Sequence, residues 1–104
     1  MEFYLIRNVG AEVTGTAGAT AKLDFTGGSN YAADFRRQAV LVASCGASPV
    51  YAKVVGRSSG ITPTVTSTNW HVQIPAGQTV LIRATREVDV YLNGSTAYTA
   101  QELG

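Results

Sequence analysis

Apolar and polar residues alternate with a period of two along several short stretches of this chain. Such alternation sends successive side chains to opposite faces and is typical of half-buried β-strands. Residues 69–74, 79–84 and 88–92 each have one apolar face in this pattern. The side chains that we expect to face the core from these strands are Trp70, Val72, Ile74, Val80, Ile82, Ala84, Val88, Val90 and Leu92.

Further apolar runs predict a strand at residues 2–8 and two strands on either side of residues 46–49. Residues 40–45 are apolar on both faces, which predicts a central strand that is covered on both sides. The short Gly-Ala-Ser-Pro link predicts that this strand and the next one, which begins near Val50, form a hairpin.

Residues 10–30 are rich in Gly, Ala and Thr and predict a loop or arm with one or two weak strands near residues 21–25. Residues 57–68 predict a second, polar loop. About seven or eight short strands with frequent turn residues predict an all-β, single-domain antiparallel β-sandwich over residues 1–104. A jelly-roll or immunoglobulin-like sandwich fits this pattern, and so does a small barrel.

Glycines mark two predicted turns. In the Pro-Ala-Gly corner, Gly77 can supply the positive φ of a type II turn. Asn93 and Gly94 are typical of the type I′ turn of a two-residue β-hairpin. That hairpin would place Tyr91 and Tyr98 together on its outer face.

The charged fraction, 14%, is well below that of average proteins, while the hydrophobic fraction is 45%. The surface is therefore expected to be neutral and suited to contact with another protein. A net charge of +1 gives no basic stripe, so we expect no direct nucleic-acid binding. We expect Arg36 and Arg37, the one adjacent basic pair, to be solvated. No apolar run has the length of a membrane span or a signal peptide, and we expect synthesis in a cytoplasm.

Catalytic chemistry has few candidates in this sequence. Cys45 and His71 are the single residues of their types, and Asp24 is the best carboxylate to set beside them. The alternation predicts a buried Cys45 and an exposed His71, which keeps the thiol and the imidazole apart. One Cys and one His cannot form a Cys/His zinc site. We therefore expect no enzyme activity, no catalytic residues, no cofactor and no metal.

Three pieces of the chain resemble the small β-sandwich virion proteins of tailed bacteriophages. They are "YLIRNVG" at residues 4–10, "ASPVYAKVVG" at residues 47–56, and "HVQIPAGQTVLIRA" at residues 71–84 followed by "VDVYLNG". The resemblance implies a capsid decoration or cement protein, a minor head protein or a head–tail component, located in the virion. It also implies binding to the major capsid protein or to head–tail proteins, and a homo-oligomer, with a trimer favoured.

Candidate contacts with such partners are exposed aromatic and basic side chains, which protein interfaces favour. The alternative function is a carbohydrate- or host-surface-binding β-sandwich module, which requires an exposed strip of aromatic rings. The candidate interaction residues are Tyr31, Arg36, Arg37, Tyr91 and Tyr98.

Overall fold

The computed structural model describes residues 13–16, 20–23, 37–85 and 87–103. The strand predicted at residues 2–8 lies outside these ranges. The described residues form eight strands and a single 3₁₀ turn, Arg57–Ser59. In chain order the strands are β1 (Val13–Thr16), β2 (Ala21–Lys22), β3 (Ala39–Ser44), β4 (Val50–Gly56), β5 (Val72–Ile74), β6 (Thr79–Arg83), β7 (Val88–Gly94) and β8 (Ala97–Leu103).

The strands form two antiparallel four-stranded sheets. Sheet A has the order β1-β8-β3-β6, and sheet B has the order β2-β7-β4-β5. The first strand pairs with the eighth, the second with the seventh, the third with the sixth and the fourth with the fifth. This nested pairing is that of one long antiparallel hairpin rolled into two layers, which is the eight-stranded jelly roll. The predicted all-β sandwich is confirmed, and its topology is the jelly-roll one.

The core lies between the two sheets and is built from the faces that the alternation predicted. Sheet A contributes Val40, Val42, Ile82 and Ala100, and sheet B contributes residues such as Leu92, all at most 4% exposed. β3 is central in sheet A, between β8 and β6, as predicted. The expected cover on both sides is wrong, because Leu41 and Ala43 on its outer face are only half-buried. The remaining members of the core cluster are Leu23, Val50, Ala52, Ile74, Ala84 and Val90.

The expected hairpin between β3 and β4 is wrong, because the two strands belong to opposite sheets. The Gly-Ala-Ser-Pro link instead carries the chain across the sandwich. The Ser44 hydroxyl closes the crossing by donating a 2.7 Å hydrogen bond to the Ser48 carbonyl. A short link between two apolar runs therefore connects two layers here rather than two neighbouring strands.

The corner before β6 has the expected type II turn. Gly77 has φ of 72°, and the Gln78 amide donates a 2.9 Å hydrogen bond to the Pro75 carbonyl. Both features belong to the predicted type II turn. The turn joins β5 in sheet B to β6 in sheet A, so it too changes layers.

The hairpin expected at Asn93 and Gly94 is also wrong. Both residues lie within β7, and neither has the positive φ that a type I′ turn requires. β7 pairs with β2 and β4, whereas β8 pairs with β1 and β3. The Asn93 side chain instead donates a 2.6 Å hydrogen bond to the Val65 carbonyl. Asn93 therefore tethers a distant loop rather than forming a turn.

That loop has a buried residue of its own. Val65 is completely buried, although it is not a member of the core cluster between the sheets. Its backbone amide donates a 2.9 Å hydrogen bond to the Thr20 hydroxyl oxygen. The predicted polar loop is thus anchored to the sandwich through Val65.

The Gly/Ala/Thr-rich segment contains β2 where a weak strand was expected, and β1 nearer the N-terminus than expected. Within the part of the chain that is described, no helix is long and apolar enough to cross a membrane.

Candidate interaction surfaces

Tyr31 and Arg36, two of the five predicted interaction residues, lie outside the described residues, as does Asp24. The other three, Arg37, Tyr91 and Tyr98, occupy three separate environments. The structure therefore does not bring them together into one surface.

Arg37 is buried, and the expectation of a solvated, partner-binding arginine is wrong. The residue is 5% exposed and lies just ahead of β3. One guanidinium nitrogen lies 3.1 Å from a carboxylate oxygen of Glu102, in β8. The buried Glu102 carboxylate compensates the positive charge of Arg37. Without this partner, burial of the guanidinium in an apolar interior would be strongly unfavourable.

The remaining N–H groups of Arg37 hold the connection between β6 and β7. They donate to the carbonyl of Ala84 at 2.9 Å, to that of Thr85 at 2.6 Å, and to that of Val88. A guanidinium has five N–H donors in a rigid fork, which suits several acceptors at once. Arg37 is therefore a structural clamp at one end of the sandwich.

Tyr91 and Tyr98 do not share a face, because β7 and β8 belong to different sheets and form no hairpin. Tyr91 lies on the outer side of sheet B, opposite Lys22 on one neighbouring strand and Lys53 on the other. Tyr98 packs against the core cluster from sheet A. Burial raises the pKa of the Tyr98 hydroxyl above its usual value, because desolvation disfavours the phenolate.

The half-buried Tyr51 and the exposed Trp70 form an aromatic pair that the sequence pattern did not indicate. Their ring centroids are 6.1 Å apart with a tilt of 36° between the planes. Trp70 is 40% exposed, so its predicted place in the core is wrong. β5 begins only at Val72, and the strand alternation therefore does not extend back to Trp70. Asn69, directly before the tryptophan, is a typical turn residue and is the signal in the sequence that the strand starts after Trp70.

The ring of Trp70 is held by the loop that precedes it. Its indole N–H donates to the Ser67 carbonyl at 3.1 Å. Ser67 belongs to a small turn closed by a reciprocal pair of backbone hydrogen bonds between Thr66 and Asn69. The indole N–H is thus satisfied while the residue stays partly open to solvent.

Cys45 and His71 provide no catalytic pair in the described geometry. Cys45 is exposed, contrary to the prediction of a buried thiol, because β3 ends one residue earlier at Ser44. His71 is exposed as predicted, and its Nδ1 accepts a 3.1 Å hydrogen bond from the Val54 amide. Their backbones pair at different places, Cys45 with Ala97 and His71 with Ala52. The described residues contain no group of three or more His, Cys, Asp or Glu that could hold a metal ion.

The outer face of sheet A is the second candidate surface. Strand register places three rows across it, formed by side chains of β6, β3 and β8. The middle row contains Leu81, which is 51% exposed, and the half-buried Leu41. Around them the face has small or uncharged residues, and its one charged side chain from these three strands is Arg83. The rows are Arg83-Ala39-Leu103, Leu81-Leu41-Gln101 and Thr79-Ala43-Thr99. Ala39 and Leu103 are buried, so the surface open to a partner consists of the second and third rows and Arg83.

These observations define an eight-stranded jelly-roll domain with two candidate contact surfaces, the Trp70–Tyr51 pair and the outer face of sheet A. Comparison of the chain with known protein families, with curated proteins and with solved structures finds no match.

Proposed function

We propose that this protein is a non-enzymatic structural component of a tailed-phage virion. In this role it is a capsid-associated decoration or cement protein, or a minor head protein, that binds the capsid or the neck. The observation that carries the proposal is the nested strand pairing of the eight-stranded jelly roll. Jelly rolls recur in viral capsid and lectin domains.

The outer face of sheet A supports a role in protein contact. Leu81 and Leu41 lie side by side in its middle row, with threonine and alanine beside them. Burying such a face desolvates few charges, so little electrostatic free energy is lost on docking. Arg83, at one corner of the face, can remain in the solvated rim.

The proposed partners are other virion proteins, namely the major capsid protein or head–tail proteins, and further copies of the chain. A trimer is the assembly that the resemblance to phage virion proteins favours. The proposed location is the virion after synthesis in the host cytoplasm. No direct contact with nucleic acid or membrane is part of the proposal.

Cosedimentation with phage particles that lack the protein tests this function. The purified chain is expected to bind saturably, with a copy number fixed by the symmetry of the particle. Thr99→Lys places a charge within the outer face of sheet A and is expected to weaken binding, whereas Gln73→Lys on the opposite sheet is the matched control. A folded chain that shows no saturable binding to any such particle contradicts the proposal.

The alternative is a carbohydrate- or host-surface-binding module, and the exposure of Trp70 favours it. Indole faces are broad and apolar, and the nearby Tyr51 ring extends the surface. A glycan array is the appropriate test. Binding that is lost in Trp70→Ala and kept in Tyr98→Phe supports this alternative, and a silent array counts against it.

A further inference from the structure

Among the described residues, one side of β6 has no partner strand, and its backbone N–H and C=O groups are unpaired there. Ser44 and Gln78 are joined by a backbone hydrogen bond next to this strand, and so are Ala84 and Gln38. Hydrogen-bonded and non-hydrogen-bonded pairs alternate along an antiparallel ladder. The β3–β6 register therefore turns the N–H and C=O groups of the odd-numbered β6 residues away from β3. These residues are Thr79, Leu81 and Arg83.

No other described strand pairs with this side of β6, which is the last strand in the order of sheet A. The side chains of the same three residues are all exposed. Leu81, in the centre, is 51% exposed. The edge thus combines open hydrogen-bonding groups with an exposed apolar side chain at its midpoint.

The other edge strands have features that discourage pairing with a further strand. β2 has two residues, one of them Lys22, and β5 has three residues followed by Pro75. β1 has four residues and includes Gly15. Short length, lysine and proline are common protections of sheet edges. β6 is the longest of the four described edges, with five residues, no proline or glycine, and a single charged residue, Arg83, at its end.

We propose that the β6 edge pairs with β6 of a second copy of this chain, antiparallel and around a two-fold axis through Leu81. In this register Leu81 faces Leu81, and Thr79 faces Arg83 on each side. Each of these three pairs can exchange two backbone hydrogen bonds, because all three residues direct N–H and C=O toward the partner. The two copies of sheet A become one continuous sheet of eight strands.

The β6 sequence is complementary to itself in this register. Arg83 lies opposite an uncharged Thr79, so no like charges face each other directly. The two copies of Leu81 lie opposite each other on the outer face, beside Leu41 of each copy. A two-fold interface of this kind uses the same patch on both subunits. Pairing through β6 gives a dimer, so the trimer favoured for a virion protein would require a different surface. The pairing itself does not depend on a role in a virion.

Sedimentation equilibrium over a range of protein concentrations tests the pairing. The wild type is expected to form dimers. Leu81→Lys and Leu81→Glu each place like charges across the axis and remove the leucine pair, and each is expected to weaken dimerisation by about tenfold. An equimolar mixture of the two variants is expected to recover dimerisation, since the introduced ammonium then faces the introduced carboxylate. Gln73→Lys, at an exposed position of β5, is the matched charge control and is expected to dimerise as the wild type does.

Three results would overturn the proposal. The first is a wild type that is monomeric at every concentration. The second is an oligomer of any size that Leu81→Lys leaves unchanged. The third is a pair of charged variants whose mixture associates no better than each variant alone. Circular dichroism of both variants verifies that the exposed substitutions leave the fold intact.

Discussion

Arg37 and Glu102 form an ion pair inside the protein, with 3.1 Å between nitrogen and oxygen and side chains that are only 4% and 6% exposed. The pair joins the segment ahead of β3 to the next-to-last residue of β8. Through its other N–H groups, Arg37 also fixes the connection between β6 and β7. Three distant parts of the chain therefore depend on one guanidinium.

We expect Arg37→Ala to destabilise the fold by about 3–5 kcal/mol, because a buried carboxylate loses its compensating charge. Urea denaturation monitored by circular dichroism measures this loss. The control is Arg57→Ala, which removes a pair with Asp89 at a similar distance, 3.0 Å, but with the Arg57 side chain 49% exposed. Exposed pairs contribute about 1 kcal/mol or less. Equal losses in the two variants would contradict the role assigned to Arg37.

The corner between the two sheets depends on the backbone conformation of Gly77. A Cβ at this residue would meet no atom within 4 Å, so a substitution there changes the conformational energy and not the packing. We expect Gly77→Val to cost about 1–2 kcal/mol, because φ of 72° disfavours a side chain, above all a β-branched one. Gly56→Ala is the control, since Gly56 also has open space but φ of −63°. Thermal unfolding that ranks the two variants alike would contradict the turn assignment.

Gly46 lies in close contact with Thr96, where the ends of two inter-sheet links meet. A Cβ on Gly46 would lie 1.6 Å from the Thr96 hydroxyl oxygen and 3.0 Å from its Cβ. We expect Gly46→Ala to cost about 1–3 kcal/mol through overpacking. Thr96→Ala removes the closer atom and is expected to restore part of the stability, but not all of it, because the Thr96 Cβ remains. A double-mutant cycle with no coupling between the two substitutions would contradict this contact.

Tyr98 makes stability dependent on pH in the alkaline range. Its pKa is raised in the folded protein by desolvation, so the folded state retains the phenolic proton at pH values where the unfolded state loses it. The contribution is constant below the unfolded pKa, about 10, and is lost as pH rises through the folded value. We expect urea midpoints to fall above about pH 10 in the wild type and to fall less in Tyr98→Phe. Absorbance titration of the tyrosines gives the folded pKa directly, and an unshifted Tyr98 would contradict the expectation.

The sequence pattern predicts which side of a strand is buried far better than it predicts which strands pair. Ile82, Val90 and Leu92 face the core as expected, because side-chain direction follows from local alternation. Pairing in a jelly roll is set by residues far apart in the chain. The links after β3, β5 and β7 have the composition of hairpin turns, yet each one crosses between the sheets.

The candidate surfaces were harder to predict for the same reason. Arg37 is buried because an acid 65 positions away meets it, and nothing next to Arg37 in the sequence signals that partner. Trp70 is exposed because β5 begins two residues later than the tryptophan, at Val72. Leu81, by contrast, falls on the outer side of its strand by alternation, because its neighbours Val80 and Ile82 face the core. The proposed role of Leu81 in dimerisation depends on β6 being an edge strand, and only the sheet order shows that it is one.

The nested pairing of the eight strands also has a kinetic consequence. β4 and β5 are separated by one loop, whereas β1 and β8 bring together opposite ends of the described chain. Closing long loops costs entropy before the paired strands compensate for it, and proteins dominated by distant contacts therefore fold slowly. We expect folding on a scale of about milliseconds to seconds. We expect the innermost pair, β4 and β5, to form first and the pair of β1 and β8 to form last, because closing the longest loop costs the most entropy.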